Sequence, residues 1–376
     1  MNSMNLNYRP LLEAFHNGNN EEATQRFNDM GVSFDPNVVP YRSGDSLLHI
    51  LARLGKTDFL QLLVDKFGGR LNLEVANKEG KRPLHEAAQF GRHEIVRILL
   101  DEGAEVDPLK RADWTPLMMA VTKVGSDANS VARILIEKGN ADVMLENKDG
   151  WNSFHIAARE GDVDILRLLW KKIPKCIMTK SKNARTPAHT AALNGKLEAL
   201  IFLYDECSAS LSDMDSCGST PLMDAARTGH LEIVVYLLET LHLKYESLDK
   251  MGRDILSVAA HYGMTNVVAY LITKINMDPN AKSTIDPQMA PIHWCAKEGR
   301  LETIKKLVEL DANPNLTDGR ERTALHFAVC ANHEESVNYL LDFVEDIDSK
   351  SLEIASSNPK MYSLLKPKFS KMNNSP

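Results

Sequence analysis

Residues 82–88 read Arg-Pro-Leu-His-Glu-Ala-Ala. Close variants return as Thr-Pro-Ala-His-Thr-Ala-Ala over 186–192 and as Thr-Pro-Leu-Met-Asp-Ala-Ala over 220–226. With the His position as a landmark, matching segments recur at spacings of 33 to 37 residues. The landmarks in register are His49, His85, Met118, His155, His189, Met223, Ser257, His293 and His326. A fixed period of this length indicates stacked copies of one small supersecondary unit.

One copy of the repeat predicts two helices joined by a turn. Pro83 stands in the first helical turn, where a backbone N–H is not needed, and the Thr at this entry in other copies, such as Thr186, is a favoured helix N-cap. The Ala-Ala pair allows close packing, Gly91 ends the first helix, and apolar residues at helical spacing over 95–100 form the second. A period near 33 that starts with T-P-L-H-x-A is typical of ankyrin repeats. We therefore predict an all-α ankyrin-repeat solenoid of helix-turn-helix units with hairpin loops.

The ends of the chain vary this pattern. Terminal repeats need a polar outer face, so atypical copies are expected there. The predicted segments are an N-terminal capping repeat and lead-in over 1–41, nine full repeats over 42–341, C-terminal capping helices over 342–365 and a flexible tail over 366–376. Extra residues at 126–130 predict a longer turn between the two helices of the third repeat.

Composition narrows the class of protein. The 376 residues carry a net charge of −7, which argues against nucleic-acid binding driven by overall charge. No run of eighteen apolar residues predicts a membrane span, and residues 1–10 lack a secretory signal pattern. The five cysteines form no CxxC pair, unlike a secreted disulfide framework. These features predict a cytoplasmic protein, with the nucleus as a second compartment.

Motifs for catalysis are missing from the sequence. Six of the 12 histidines occupy the landmark, where His is expected to hydrogen-bond one repeat to the next. His85-Glu86 has no second His four residues on, so it is not a zinc-protease motif, and no glycine-rich phosphate loop occurs. We therefore predict no enzyme activity, no catalytic residues, no metal and no cofactor.

A different signal lies in the hairpin loops. Seven residues before each landmark comes a loop tip, and in ankyrin repeats these tips form a column along the concave, partner-binding face. The tip residues are Arg42, Lys78, Arg111, Lys148 and Lys182, followed by Ser216, Lys250, Asp286 and Gly319. Four residues before their landmarks stand Trp114 and Trp151, and Arg185 takes that position in the next repeat. The N-terminal half thus presents a basic column beside two tryptophans.

Two interpretations fit this clustering. Trp and Arg dominate the energetics of protein interfaces, so Trp114, Trp151, Lys78, Arg111 and Arg185 are predicted to bind a partner with an acidic or phosphate-bearing surface. Alternatively, the tryptophans cover the neighbouring hairpin and the lysines keep the loop tips soluble. The aromatics are too few to stack bases along a strand, so no direct nucleic-acid partner is expected. We expect a monomer without membrane contact.

Departures from the generic repeat point to one family. Residues 147–157 read Asn-Lys-Asp-Gly-Trp-Asn-Ser-Phe-His-Ile-Ala, with N-S-F-H in place of T-P-L-H. With residues 81–88 and 112–120, this stretch resembles ankyrin repeat domain-containing protein 16, the ankyrin-repeat co-factor of alanyl-tRNA synthetase. The similarity runs from about residue 44 to 341 and is strongest between 77 and 192.

The resemblance implies a function in translation fidelity. Members of that family bind alanyl-tRNA synthetase and capture wrongly activated serine on lysine side chains, which prevents mischarging of alanine tRNA. Lys148 matches one family acceptor directly. Two other acceptor positions fall at Arg111 and Met178, with Lys110 and Lys180 close by. The serine-acceptor candidates are therefore Lys148, Lys110, Lys180 and Lys182.

Three other functions stay open. A general ankyrin scaffold for another intracellular protein, such as a ubiquitin-ligase or cytoskeletal adaptor, would bind partners other than the synthetase. An enzyme would need a pocket-forming insertion with paired titratable residues. A chaperone-like role would stabilise its partner without covalent change.

Overall fold

The computed structural model describes residues 4–31, 34–344, 351, 353, 355, 356 and 358–372. Contacts between residues divide the chain into two compact units. The first unit comprises residues 1–187 and 198–209, and the second comprises residues 188–197 and 210–376.

Paired helices build the first unit. They are α1 (Met4–His16), α2 (Asn20–Met30), α3 (Leu47–Leu54), α4 (Thr57–Phe67), α5 (Pro83–Gln89), α6 (His93–Asp101), α7 (Pro116–Ala120), α8 (Ser126–Glu137), α9 (Ser153–Glu160) and α10 (Val163–Lys172). The first helices pack in succession, α3 on α5 and α5 on α7, and α6 packs on α8 in the same way. The small side chains of Ala87 and Ala88 are almost completely buried, which allows this close packing.

The same arrangement continues in the second unit. Its helices are α13 (Pro221–Thr228), α14 (Leu231–Val235), α15 (Ile255–Tyr262), α16 (Thr265–Thr273), α17 (Pro291–Lys297), α18 (Leu301–Glu309), α19 (Ala324–Cys330), α20 (Glu334–Leu340) and α21 (Pro359–Met372). The chain passes between the units within α11 (Pro187–Leu193), within α12 (Leu197–Asp205) and again after residue 209. No strand forms within the described ranges, so the all-α ankyrin-repeat solenoid is confirmed.

Local sequence explains where the first helices begin and end. The Thr115 and Thr220 hydroxyls accept the N–H three residues on, at 3.2 and 3.3 Å, as expected of N-caps. Gly161 and Gly229 end α9 and α13 with positive φ angles of 83° and 80°, a conformation that glycine adopts without strain.

The landmark histidines hydrogen-bond successive repeats, as predicted. The Nδ1 atoms of His49, His85 and His293 accept backbone N–H groups at the start of their own helix, from Ser46 (3.1 Å), Arg82 (3.1 Å) and Ala290 (2.9 Å). The Nε2 atoms of landmark histidines donate to a carbonyl oxygen of the next repeat. These bonds run from His49 to Lys81 (2.8 Å), His85 to Trp114 (3.1 Å), His155 to Arg185 (3.1 Å), His189 to Ser219 (3.0 Å) and His293 to Leu316 (2.8 Å). The landmark therefore positions the hairpin of the following repeat.

The predicted turn at 126–130 is wrong, because these residues form the start of α8. Asp127 lies in the first turn, where a carboxylate interacts favourably with the helix dipole, and Ala128 is buried. At the other end, α21 continues to Met372, past the predicted start of the tail at residue 366. Leu352 and Ile354, predicted to lie in a capping helix, fall outside the described residues, and the other domain boundaries stay predictions.

Candidate functional site

The basic loop tips of the first unit form one continuous column. Each tip donates its backbone N–H to a carbonyl oxygen of the preceding tip: Lys78 to Ser43 (2.9 Å), Arg111 to Glu79 (3.0 Å), Lys148 to Ala112 (3.0 Å) and Lys182 to Asp149 (3.0 Å). The side chains of Arg42, Lys78, Arg111, Lys148 and Lys182 are all exposed. We call these five residues the basic column.

Asparagine side chains shape two of these five tips. The Asn147 Oδ1 atom accepts the N–H groups of Asp149 and Trp151, at 2.9 and 3.0 Å, and Asn77 folds its own loop in the same way. Gly150 provides the positive φ angle, 75°, that the turn requires. A Cβ atom there would lie 2.7 Å from the Lys182 nitrogen, so glycine permits the close stacking of the tips.

The third tip is built differently, because Lys110 stands where the second and fourth tips carry Asn77 and Asn147. Lys110 donates its N–H to the Trp114 carbonyl at 3.0 Å, and Asp113 donates to the Lys110 carbonyl at 2.9 Å. Ala112 and Asp113 take positive φ angles of 66° and 60°, which costs energy in residues with a Cβ atom. In the same loop the Lys110 amine lies over the Trp114 ring.

The surroundings of Lys110 perturb its amine. Its Nζ atom lies 5.5 Å from the centre of the Trp114 ring, and its side chain is half-buried. Burial lowers the pKa of this amine, and the nearby positive charges of Lys81 and Arg111 lower it further against the opposing effect of Glu79. Because its pKa is lowered, a larger fraction of the Lys110 amine is uncharged and nucleophilic.

The two tryptophans are half-buried, and each lies beneath a cation. The Arg159 guanidinium carbon is 5.6 Å from the centre of the Trp151 ring, which also lies 6.2 Å from the His155 ring. Trp151 is therefore held partly by its own repeat, as the hairpin-covering interpretation expects, yet part of its surface stays accessible. Its counterpart Trp114 receives the His85 hydrogen bond on its carbonyl.

The other predicted residues are spread along the next loop. Lys180 and Lys182 are exposed, and so is Met178, which occupies one family acceptor position. Arg185 is half-buried, and its carbonyl receives the His155 hydrogen bond. The structure brings Lys182 next to the preceding tip, because its N–H donates to the carbonyl of Asp149, the residue after Lys148.

Carboxylates border the basic column, a feature that the sequence reasoning did not weigh. Glu79 is exposed beside Lys78, and its carboxylate lies 3.4 Å from the Lys81 amine. Below it, the buried Glu86 carboxylate pairs with Arg53 at 3.1 Å and with Lys81 at 3.4 Å. Glu86 directly follows the landmark, where the other repeats mostly carry apolar or small residues. This departure from the repeat pattern is the sequence signal that could have revealed the buried carboxylate.

Within the described ranges, no three His, Cys, Asp or Glu side chains are grouped so that they could hold a metal ion. Across the same ranges, none of the helices is long and apolar enough to cross a membrane.

Comparison with known proteins identifies the repeats. The family described as ankyrin repeats (three copies) matches residues 11–110, 106–180, 188–283, 240–318, 256–351 and 292–372. The B-cell lymphoma 3 protein homolog of Mus musculus is 30% identical over 130 residues, which cover 34% of this chain and 28% of that protein. SH3 and multiple ankyrin repeat domains protein 2 of Homo sapiens is 30% identical over 135 residues, or 36% of this chain and 7% of that protein.

A plant protein is also similar to this chain. E3 ubiquitin-protein ligase KEG of Arabidopsis thaliana is 36% identical over 81 residues, which cover 22% of this chain and 5% of that protein. The matched stretches span less than a third of each of these three relatives. The similarity therefore concerns the repeats and not the whole of those proteins.

Proposed function

The chain belongs to the ankyrin repeat family, and on that premise we propose that it is a protein-binding scaffold whose basic column docks an acidic partner surface. The observation that carries this proposal is the continuity of the column, in which five exposed cations stand on hydrogen-bonded tips. Repeat proteins bind through such extended surfaces because each repeat contributes one rigid element.

The composition of this surface favours a protein partner. Trp114 and Trp151 are large, half-buried side chains, the type that supplies much of the binding energy at protein interfaces. The carboxylates of Glu79 and Asp149 interrupt the positive charge along the column, which disfavours a continuous phosphate backbone. An acidic protein surface with matched spacing suits this alternation.

We propose alanyl-tRNA synthetase as the partner, on the strength of the family resemblance at residues 81–88, 112–120 and 147–157. The chain would keep serine off alanine tRNA in the cytoplasm. Capture is a group transfer: an uncharged lysine amine attacks the carbonyl carbon of seryl adenylate, an amide bond forms, and the carbonyl carbon–phosphate oxygen bond breaks. AMP leaves with the bonding electron pair, and the amine proton passes to solvent. The lysine is consumed, so this is stoichiometric capture.

Two arguments select among the candidate acceptors. The resemblance favours Lys148, which is exposed on the basic column. The surroundings favour Lys110, since burial and neighbouring cations lower the pKa of its amine. Lys180 and Lys182 are exposed on the next loop, and the resemblance places no family acceptor directly at either position.

Binding to purified alanyl-tRNA synthetase tests the partner and the surface together. We expect the Trp114→Ala/Trp151→Ala variant to lose binding, because the loss of two hot-spot side chains costs roughly 2 kcal/mol each. The charge variant Arg111→Ala/Lys182→Ala should weaken binding most at low salt, since its contribution is electrostatic.

The matched control carries the same change in charge away from the column. Lys171 and Lys172 are exposed at the end of α10, so Lys171→Ala/Lys172→Ala should leave binding unchanged. Equal weakening by both charge variants would exclude the column as the docking surface. No binding at micromolar concentrations would exclude the synthetase and leave the scaffold with another partner, to be found by affinity purification.

Serine capture has a separate readout. Intact-protein mass after incubation with synthetase, serine and ATP should show added seryl groups. Lys110→Arg and Lys148→Arg keep the charge and remove the primary amine, so each should lower the yield if its residue is an acceptor. A yield that neither variant changes would rule out both lysines.

A further inference from the structure

One repeat of the second unit lacks the landmark side chain that joins one repeat to the next. The landmark is His in six repeats and Met in two, and Met118 and Met223 are both buried. In the seventh repeat the landmark is Ser257, in the first turn of α15. A serine side chain is much smaller than that of histidine or methionine, so it does not fill the same volume in a closely packed interior.

A cavity of about 320 Å³ lies at this position. Asp254 and Ser257 line it from the seventh repeat, and Ser283 lines it from the hairpin of the eighth. Glu246 and Lys282 line it too, and both are exposed, so the cavity is open to solvent. The Ser257 hydroxyl makes no hydrogen bond within the described residues, although Ser257 is only 4% exposed. Buried hydroxyls are normally paired inside the protein, so this one is available to a ligand.

The first repeat shows what the landmark does when it is histidine. His49 Nδ1 accepts the Ser46 N–H at 3.1 Å, and His49 Nε2 donates to the Lys81 carbonyl at 2.8 Å. That carbonyl also accepts the Asn77 N–H of its own hairpin, at 2.9 Å. A neutral imidazole ring therefore bridges a donor at the start of its helix and an acceptor on the next hairpin.

The same two backbone groups are open in the seventh repeat. The counterpart of the Ser46 N–H is that of Asp254, which makes no hydrogen bond within the described ranges. The counterpart of the Lys81 carbonyl is that of Met289, which accepts the Ser283 N–H at 3.1 Å and no second donor among the described residues. Since a carbonyl oxygen has two lone pairs, one remains. By repeat equivalence, a donor and an acceptor flank the position that an imidazole takes in the first repeat.

We propose that this cavity binds an imidazole ring that another molecule supplies, as a histidine side chain of a partner protein or as a small imidazole compound. One ring nitrogen accepts the Asp254 N–H and the other donates to the Met289 carbonyl, as His49 does in the first repeat. An ionised carboxylate only accepts and an ammonium only donates, so neither bridges the two groups. A volume of about 320 Å³ is at the lower end for ligand sites and suits one ring with a small substituent. The site lies in the second unit and does not rest on the basic column.

Imidazole itself is the probe, titrated into the full chain at about pH 8, where the ring is neutral, and followed by saturation-transfer NMR. We expect saturable binding with a Kd of about 1 mM, as suits so small a ligand. N-methylimidazole keeps the accepting nitrogen but lacks the N–H, so it should bind about tenfold more weakly. N-acetylhistidine methylamide distinguishes the two sources of the ring. If it binds at least as tightly as imidazole, the site takes a partner's histidine, and if it binds more weakly, the site takes a small compound; both results support the ring.

Variants at the landmark locate the binding. Ser257→Met introduces the residue that two other repeats carry, so it should fill the cavity and abolish saturable binding of imidazole. Ser257→His supplies the ring from the chain itself, so it should abolish binding and raise Tm. The matched control Ser216→His puts the same ring on an exposed loop tip and should change neither the affinity nor Tm.

The unsubstituted chain decides the outcome even where a variant fails to fold. The absence of saturable binding overturns the proposal, and so does equal affinity for imidazole, N-methylimidazole and acetamide. Binding that persists in folded Ser257→Met also overturns it, because the ring would then lie elsewhere. Arg111→Ala/Lys182→Ala should bind imidazole as the unchanged chain does, so failure of the basic column and failure of this site are separable.

Discussion

Lowering the pH should reduce the free energy of unfolding through His85. The lowered pKa of this buried ring sets the size of the loss. The ring is fully buried between the Arg82 N–H and the Trp114 carbonyl, and burial lowers its pKa from 6.5 to about 4. The unfolded chain gains a proton below pH 6.5, whereas the folded ring stays neutral down to about pH 4. This contribution to stability is therefore complete above pH 6.5 and declines as the pH falls towards 4. At about 1.4 kcal/mol per pKa unit, roughly 2 kcal/mol is lost between pH 7.5 and pH 5.

Urea unfolding followed by circular dichroism at these two pH values measures the effect. In His85→Gln the side chain does not titrate but can still donate to the Trp114 carbonyl. The fall in unfolding free energy between the two pH values should therefore be smaller in this variant by about 2 kcal/mol. His16 is exposed in α1, so His16→Gln should behave like the unchanged chain. Equal pH dependence in His85→Gln and the unchanged chain would refute the reasoning.

Three further changes probe the candidate site. Gly150→Ala should lower Tm more than Gly18→Ala, because both glycines have positive φ angles but only at Gly150 would the new Cβ clash with backbone; equal losses would contradict this. Glu86→Gln should reduce the free energy of unfolding by about 2 kcal/mol through its lost ion pairs, and a loss below about 0.5 kcal/mol would show that they contribute little. Arg111→Ala should raise the pKa of Lys110 in an NMR titration, because it removes a neighbouring positive charge; an unchanged or lower pKa would contradict the electrostatic explanation.

Exposed cations on the loop tips are screened by salt, so the basic column would favour fast, salt-dependent encounter with an acidic partner. Binding of the unchanged chain and of Arg111→Ala/Lys182→Ala, measured as a function of salt, would show this contribution.

Periodicity in the sequence was sufficient to predict the repeat fold. The landmark spacing, the Thr N-caps and the terminal glycines are local signals, and the helices begin and end close to where these signals place them. The loop-tip column was also predictable, because residues at one position of a repeat must stack when the repeats stack. The start of α8 was misread because an insertion in sequence does not show which element lengthens.

Only the tertiary structure decided which side chains differ chemically within these columns. Lys110 and Lys148 are both loop lysines in the sequence, but the turn at Ala112 and Asp113 places Lys110 against a tryptophan and other cations. Arg253 and Trp294 lie 41 positions apart, and no local pattern shows that their polar atoms are buried together without acceptors. Helix formation and repeat stacking follow from local and periodic patterns, whereas burial, pKa and hydrogen-bond satisfaction depend on which neighbours fill the remaining space.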